Sequence, residues 1–252
     1  SELAIEIAVE LGGEILNADS MQLYRGMDIG TAKLSEAERS GIKHHLIDVV
    51  DPSEDVTVSW YQEEARKIID DLLQIKSVVV VGGTGLYIKA ILDDLNFPET
   101  NEVVRDSLNQ LAEKIGADAL HERLAKLDPA AALAIPKENI RRVVRALEVI
   151  EITGKPFTAN LPRAGSTKYP DAIQFGLELD RKSLDERIER RVDEMWEKGF
   201  VEEVKTLLKS PLGRTAKQAI GYSQIINYLN DECSESDAKR SEEHTSELQS
   251  RE

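Results

Sequence analysis

The sequence predicts an α/β fold in which a mostly parallel sheet is wrapped by helices and carries an inserted all-helical domain. Short apolar runs at Glu14–Ala18, His45–Val50 and Ser77–Val81 are separated by helical or loop stretches. Such alternation is typical of parallel sheets with helical crossovers. Residues 102–165, in contrast, show apolar residues at helical spacing and no strand pattern. These observations predict the fold class.

The first predicted element is a helix from Ser1 to Leu11, ended by Gly12 and Gly13. A parallel sheet that opens on a helix lacks the strand that would feed this helix. We therefore expect that the N-terminus is truncated. A further helix is predicted over Trp60 to Ile75.

The rest of the chain divides into a core, an insertion and a tail. We predict an α/β core over residues 1–100 and 170–230, and a helical insertion over 101–169. The core resumes with a strand at Ile173–Leu179, followed by a long amphipathic helix from Leu184 to Leu207.

The segment from Asp231 onward is almost free of apolar residues, which predicts a disordered tail over 231–252. Residues 240–250 read RSEEHTSELQS, a string that matches one translated frame of a common sequencing adapter. We expect this stretch to be an artefact, so that the chain is also truncated at its C-terminus.

Composition excludes several classes of protein. No apolar run is long enough to cross a bilayer, and no signal peptide is visible, so a cytoplasmic monomer is expected. Cys233 is the only cysteine and the four histidines lack zinc-ligand spacing. The net charge of −15 argues against a general affinity for nucleic acid, although a local basic groove remains compatible with it.

Two segments carry candidate chemistry at strand ends. Asp19 follows the first strand, and ligands of open α/β sheets gather at the carboxyl ends of strands. The turn from Gly82 to Gly85 leads from a strand into a helix, where backbone amides favour anions. Both segments also suit ordinary tight turns, and the residues alone leave this alternative open.

Arginines at helical spacing form two basic faces. Arg141 and Arg145 lie one turn apart with Arg142 between them, and Arg187 and Arg191 repeat the spacing. Either face suits a phosphate backbone. A solvated surface network with neighbouring glutamates is the alternative.

Five segments together resemble the tRNA dimethylallyltransferase (tRNA isopentenyltransferase) family. They are SELAIEIAVELGGEILNADSMQLYRGMDIGTAK, HHLIDVVDP, VVVVGGTGLYIKA, RRVVRALEVIEITGKP and QAIGYSQ, in family order from Ser1 to about Leu229. The resemblance implies a P-loop-type core with a helical insertion that contacts tRNA. It also implies transfer of a dimethylallyl group from dimethylallyl diphosphate to N6 of the adenosine on the 3′ side of the anticodon.

The resemblance further implies residue roles. Asp19 would be the catalytic base and Thr84 a second catalytic residue, with Arg191 and Arg187 on the diphosphate. Ser1 matches the last residue of a phosphate loop that would hold the diphosphate with Mg²⁺, and the rest of this loop is absent, so the chain is expected to be inactive as it stands. The tRNA contacts would be Asp19, Ser20, Met21, Gln22, Thr84, Arg105, Arg141, Arg142, Val143, Val144, Arg145, Gln218, Ala219, Ile220, Gly221, Tyr222 and Ser223.

The expected partners are the anticodon stem-loop of tRNA and dimethylallyl diphosphate. Three alternatives stay open: an adenylate dimethylallyltransferase acting on a free nucleotide, a P-loop kinase or NTPase, and a non-catalytic RNA-binding fragment. The basic insertion favours tRNA over a free nucleotide, and the missing loop removes the hallmark of an NTPase.

Overall fold

The structure is a computed structural model that describes residues 2–160 and 167–249. The chain forms two compact units. One comprises Ser1–Ile91 with Asp171–Glu252, and the other comprises Leu92–Pro170. The predicted helical insertion, 101–169, falls within the second unit.

A three-stranded parallel sheet forms the centre of the first unit. Its strands are β1 (Glu14–Asn17), β2 (His44–His45) and β3 (Val78–Val81), in the order β2-β1-β3. The second strand is much shorter than the predicted His45–Val50. Leu46 and Asp48 adopt φ angles of 56° and 57°, which are incompatible with extended backbone, so pairing stops after His45.

Three helices pack around this sheet, and the longest of them buries one face in the core. They are α1 (Glu2–Leu11), α2 (Val58–Leu72) and α3 (Gly85–Leu92). The hydroxyl of Thr57 caps α2 by accepting the Trp60 N–H at 3.2 Å. Tyr61, Ala65 and Ile69 follow at four-residue spacing and are buried, so one face of the helix is in the core.

The second unit is helical. It contains α4 (Glu102–Leu127), α5 (Pro129–Ala134), α6 (Ile140–Thr153) and a 3₁₀ turn at Phe157–Asn160. Gly116, with a φ of 82°, kinks α4. Leu120, Leu124 and Leu147 belong to a core made within this unit.

Beyond residue 180 the structure differs from the single long helix predicted to extend to Leu207. Two helices replace it, α7 (Arg181–Glu197) and α8 (Phe200–Leu207). Gly199 has a φ of 94° between them, a conformation that ends a right-handed helix. Two short helices follow, α9 (Arg214–Lys217) and α10 (Tyr222–Leu229).

Where the sequence predicts a disordered tail, the structure has a helix, α11 (Glu235–Gln249). Ala238 and Glu242 are buried, and the indole N–H of Trp196 donates to the Glu242 carboxylate at 3.2 Å. A few small or polar residues at helical spacing suffice to pack this helix, although its composition is polar. Residues 250–252 lie outside the described residues.

The predicted strand Ile173–Leu179 is absent from the sheet. Ile173, Phe175 and Leu177 are 78%, 78% and 81% exposed, and residues 172–180 form no ladder with a described strand. An extended segment becomes a strand only when a neighbour accepts its hydrogen bonds. In the described parts of the chain, none of the helices is both long and apolar enough to cross a membrane.

Candidate active site

The site forms where β1 and β3 end side by side. The Ala18 N–H donates to the Val81 carbonyl at 2.8 Å, and the Thr84 N–H donates back to the Ala18 carbonyl at 3.1 Å. The turn after β1 and the turn after β3 are thereby fixed against each other. This is the edge of a parallel sheet at which ligands bind.

Gly82 is required by this close approach. An ideal Cβ at residue 82 would lie 2.2 Å from the Ala18 carbonyl carbon and 2.3 Å from its oxygen. Both atoms are backbone and cannot move aside like a flexible side chain. Gly82, predicted as part of an anion-binding turn, therefore allows the two strand ends to approach each other closely.

Asp19 is held by backbone and side-chain hydrogen bonds. Its Oδ1 accepts the N–H groups of Met21 at 2.8 Å and Gln22 at 3.4 Å. The buried amide of Asn17 accepts the Asp19 N–H at 3.0 Å and donates to the carbonyls of Asp19 and Leu46, both at 2.9 Å. Within the described residues no hydrogen bond reaches Oδ2 of Asp19. One carboxylate oxygen thus orients the group and the other is available to accept a proton.

Thr84 joins the two turns through its side chain. Its hydroxyl accepts the Ser20 N–H at 3.0 Å and donates to the Ser20 hydroxyl at 3.3 Å. Thr84 thereby holds the residue that follows Asp19, and so it orients the turn that carries the carboxylate.

Tyr61 and Tyr87 stack on each other, and Tyr61 binds the end of β1. The Tyr61 hydroxyl donates to the Asn17 carbonyl at 2.8 Å, and the rings of Tyr61 and Tyr87 stack with centroids 3.7 Å apart. Burial raises the pKa of both phenols, so both stay neutral at physiological pH and Tyr61 remains a donor. Sequence reasoning missed Asn17 and Tyr61 as site residues, because only the fold brings Tyr61 to the strand end.

A cavity of about 250 Å³ opens at this edge and is lined in part by Asn17, Asp19, Gln22, His44 and Gly82. Burial lowers the pKa of His44, so its ring is neutral at neutral pH. Asp19 thus lies at the wall of a cavity and is only partly buried.

The segment Gln218–Ser223 only partly suits RNA contact. Ala219 and Tyr222 are buried, and the Tyr222 hydroxyl donates to the Glu203 carboxylate at 2.6 Å. Burial raises the pKa of Tyr222, and the neighbouring Glu203 carboxylate raises it further. In this conformation the side chains of Ala219 and Tyr222 hold the segment in place, whereas Gln218 is exposed.

The predicted tRNA contacts on α6 also separate into two groups. Val143 and Val144, two of the predicted contacts, are 1% and 3% exposed and pack in the core of the helical unit, so their side chains do not face solvent in this conformation. Alternate faces of a helix cannot all meet one ligand. Arg141 and Arg142 are exposed.

Arg105 and Arg145 meet a buried carboxylate. Glu148 is fully buried and accepts hydrogen bonds from both guanidinium groups, at 2.9 Å in the closest case for each. Arg145 also donates to the Pro98 carbonyl at 2.7 Å. Two of the predicted RNA-binding arginines therefore have structural partners already.

The predicted diphosphate ligands Arg187 and Arg191 lie exposed on α7, and within the described residues neither forms an ion pair. Ser1 lies outside the described residues. The part of the chain that the structure describes contains no group of three or more His, Cys, Asp or Glu residues able to hold a metal ion.

The fold and this edge define an α/β protein with an oriented carboxylate at the carboxyl ends of parallel strands. The model of the IPP transferase family matches residues 22–250, and the chain belongs to this family. The predicted fold class and the predicted resemblance are both confirmed.

Relatives with known names agree with this assignment. The tRNA dimethylallyltransferases of Streptomyces griseus and Thermobifida fusca are each 54% identical to the chain, over 243 and 248 residues, and each match covers 95% of this chain and 77% of the relative.

Solved structures agree as well. A eukaryotic dimethylallyltransferase acting on tRNA superimposes with a TM-score of 0.83 at 28% identity, covering 99% of this chain and 64% of that one. The tRNA isopentenylpyrophosphate transferase of Bacillus halodurans superimposes with a TM-score of 0.67 at 38% identity, covering 98% and 79%.

Proposed function

We propose that this chain carries the catalytic edge of an enzyme that transfers a dimethylallyl group from dimethylallyl diphosphate to N6 of the adenosine 3′ of the anticodon in tRNA. The observation that carries the proposal is the way in which the Asp19 carboxylate is held. Its carboxylate is oriented through Oδ1, and its second oxygen accepts no hydrogen bond from the described residues.

The chemistry requires a base of this kind. The lone pair of an adenine amine is delocalised into the ring, so the amine is a weak nucleophile. As the new carbon–nitrogen bond forms, the carbon–oxygen bond to the diphosphate breaks and the diphosphate leaves with that electron pair. Asp19 accepts the N6 proton, which keeps positive charge from building up on the nitrogen. Thr84 keeps the Asp19 turn in register during this step.

The departing diphosphate gathers negative charge, which cationic side chains stabilise. We assign this role to Arg191 and Arg187, which are exposed on α7 without a described ion pair. Mg²⁺ is proposed as the cofactor and Ser1 as its ligand. The described residues contain no group of three or more His, Cys, Asp or Glu able to hold the ion, and Ser1 lies outside them.

An anticodon loop fits the site better than a duplex does. The adenine must leave its stack to reach a carboxylate at the edge of a sheet, and unpaired loop bases are the least costly to flip. The exposed Arg141 and Arg142 supply a local basic surface on a chain with a net charge of −15. We propose that the protein acts as a cytoplasmic monomer.

The test is transfer of radiolabelled dimethylallyl to an anticodon stem-loop RNA. The match covers 77% of the Thermobifida fusca relative, so the chain is assayed by itself and joined to the segments of that relative which lie outside the match. In the joined protein we expect Asp19→Asn to lower kcat by roughly 10²–10⁴-fold, because a positioned base contributes about that much.

Glu36→Gln is the matched control, since Glu36 is an exposed carboxylate with no partner within the described residues. Equal activity of the Asp19→Asn variant and this control would refute Asp19 as the base. Labelling of AMP in preference to the stem-loop would favour the adenylate-transferring alternative. Stem-loop binding without transfer in the joined protein would favour an RNA-binding function.

A further inference from the structure

The Glu203 carboxylate on α8 binds the loop Asp28–Thr31, and this loop is hydrogen-bonded to Gln22 of the candidate active site. Oε2 of Glu203 accepts the N–H groups of Asp28 at 3.0 Å and Ile29 at 2.8 Å, and Oε1 accepts the N–H of Gly30 at 3.3 Å. Three successive backbone donors thus converge on a single anion, an arrangement known as an anion-binding nest. The Gly30 N–H also bonds the hydroxyl oxygen of Tyr222, so this end of the loop has two described acceptors.

The same carboxylate also receives the hydroxyl of Tyr222, at 2.6 Å to Oε1. Gly30 fits between the rings of Phe200 and Tyr222, because an ideal Cβ there would lie 2.3 Å from Phe200 and 2.6 Å from Tyr222. The two rings meet edge to face, with centroids 4.9 Å apart. The loop is consequently held at one place by hydrogen bonds to a carboxylate and by the packing of Gly30 against two aromatic rings.

The loop leads directly to the Asp19 turn. The Gln22 side-chain amide donates to the Thr31 carbonyl at 3.0 Å, and the Gln22 N–H is one of the two groups bound to Oδ1 of Asp19. Thr31 follows the three residues that Glu203 holds. A continuous set of hydrogen bonds therefore runs from Glu203 through the loop and Gln22 to the proposed base.

We infer that Glu203 is a positioning residue for the transfer reaction: its carboxylate holds the loop Asp28–Thr31, and through Gln22 it fixes the orientation of Asp19. This inference rests on the proposed role of Asp19. Glu203 does not touch the substrate; it acts by keeping the Asp19 carboxylate in its reactive geometry. Tyr222, a buried residue of the segment predicted to contact tRNA, binds the same carboxylate.

The variant Glu203→Gln keeps the size of the side chain but loses its charge and one acceptor oxygen. Glu202→Gln is the matched control, because Glu202 precedes it on the same helix, is 74% exposed and pairs only with Lys205 among the described residues. Both variants are made in the full chain, and thermal unfolding is recorded for each so that loss of fold is recognised.

The first measurement is amide hydrogen exchange and does not depend on activity. We expect Glu203→Gln to accelerate exchange at Asp28, Ile29 and Gly30 by at least about tenfold, because charge-assisted hydrogen bonds are lost. We expect smaller acceleration at Met21 and Gln22, and no change in Glu202→Gln. Unchanged exchange at Met21 and Gln22 while the loop residues accelerate would overturn the link to Asp19.

The second measurement is prenyl transfer in the joined protein used to test the proposed function. We expect Glu203→Gln to lower kcat by up to roughly 10²-fold with little change in KM for the stem-loop, since small misplacements of a catalytic group cost about that much. Glu203→Asp, which keeps the charge, should recover part of the loss. A rise in KM with kcat unchanged would overturn the inference.

A double-mutant cycle with Gln22→Ala tests the route. If the coupling passes through Gln22, the second substitution adds little to the first in kcat, whereas independent effects would multiply and overturn the inference. If the joined wild-type protein shows no transfer, the proposed function fails, and the exchange data still decide whether Glu203 holds the Asp19 turn.

Discussion

Backbone contact at Gly82 sets the geometry of the candidate site at the scale of single residues. Gly82 and Gly83 are neighbours in one turn, yet their surroundings differ. A Cβ at residue 82 would overlap the Ala18 backbone at 2.2 Å, whereas a Cβ at residue 83 would meet no atom within 4 Å. The pair therefore separates a steric requirement from the general effect of replacing a glycine.

We expect Gly82→Ala to lower the free energy of unfolding by about 1–3 kcal/mol, because overlap in a packed region forces the backbone to shift. Gly83→Ala should be close to neutral. Urea unfolding of both variants checks this prediction. Equal stability of the two would show that the β1 and β3 strand ends are not in the tight contact described.

Burial of Glu148 in α6 is the main electrostatic feature at the scale of elements. Burial by itself would raise the pKa of this carboxyl, but the Asn101 N–H and the guanidinium groups of Arg145 and Arg105 outweigh it and hold the pKa below its ordinary value of 4.5. These bonds tie the start of α4 to the middle of α6. The carboxylate is thus a structural anchor of the helical unit.

A carboxyl whose pKa is lower in the folded state than in the unfolded state stabilises the fold at pH values above its unfolded-state pKa. This stabilisation is lost as the pH falls through its folded-state pKa. We therefore expect the stability contributed by Glu148 to be intact above about pH 4.5 and to decline below it. Glu148→Gln should destabilise the helical unit by about 2 kcal/mol near neutral pH, and this loss should shrink on acidification.

Thermal unfolding from neutral to acidic pH measures this dependence. Glu151→Gln is the control, because Glu151 is exposed one turn further along α6. A destabilisation by Glu148→Gln that stays constant with pH would contradict an anchoring role for the ionised carboxylate.

At the scale of the whole molecule, the chain holds two units with separate cores. The core cluster of Leu92–Pro170 contains only residues of that unit, among them Leu108, Leu120 and Leu124. A unit with its own core is able to fold alone. We therefore expect residues 92–170, expressed alone, to give a helical circular dichroism spectrum and a cooperative thermal transition.

Two leucines in this fragment provide a matched pair. Leu124 is 0% exposed and Leu133 is 92% exposed. Leu124→Ala should lower stability by about 2–5 kcal/mol through the cavity it leaves, and Leu133→Ala should have little effect. A fragment that melts without cooperativity, or in which both variants behave alike, would show that the core depends on the rest of the chain.

Local patterns in the sequence were sufficient for the fold class and for the centre of the site. The runs before Asp19 and Gly82 are apolar and end in polar or glycine residues, so strand ends and their turns follow from neighbouring residues alone. The same reasoning fails where a motif continues along a helix. Val143 and Val144 share a motif with Arg142 but point into the core, because side-chain direction rotates at every residue.

Two segments show how context overrides composition. The polar residues 235–249 form a helix because Ala238 and Glu242 find buried positions, whereas the apolar Ile173–Leu179 stays exposed because no described strand pairs with it. The origin of residues 240–250 as an adapter-derived artefact stays a prediction.

The sequence by itself determined the α/β class, the family, the position of Asp19 and the turn at Gly82–Gly85, because each depends on residues close together in the chain. The tertiary structure alone decided which partners these residues have. Tyr61 reaches Asn17, Thr84 reaches Ser20, and Glu203 reaches the Asp28–Gly30 loop across separations of 44, 64 and up to 175 residues. Hydrogen bonds across such separations form only once packing has brought the elements together, and no local pattern records them.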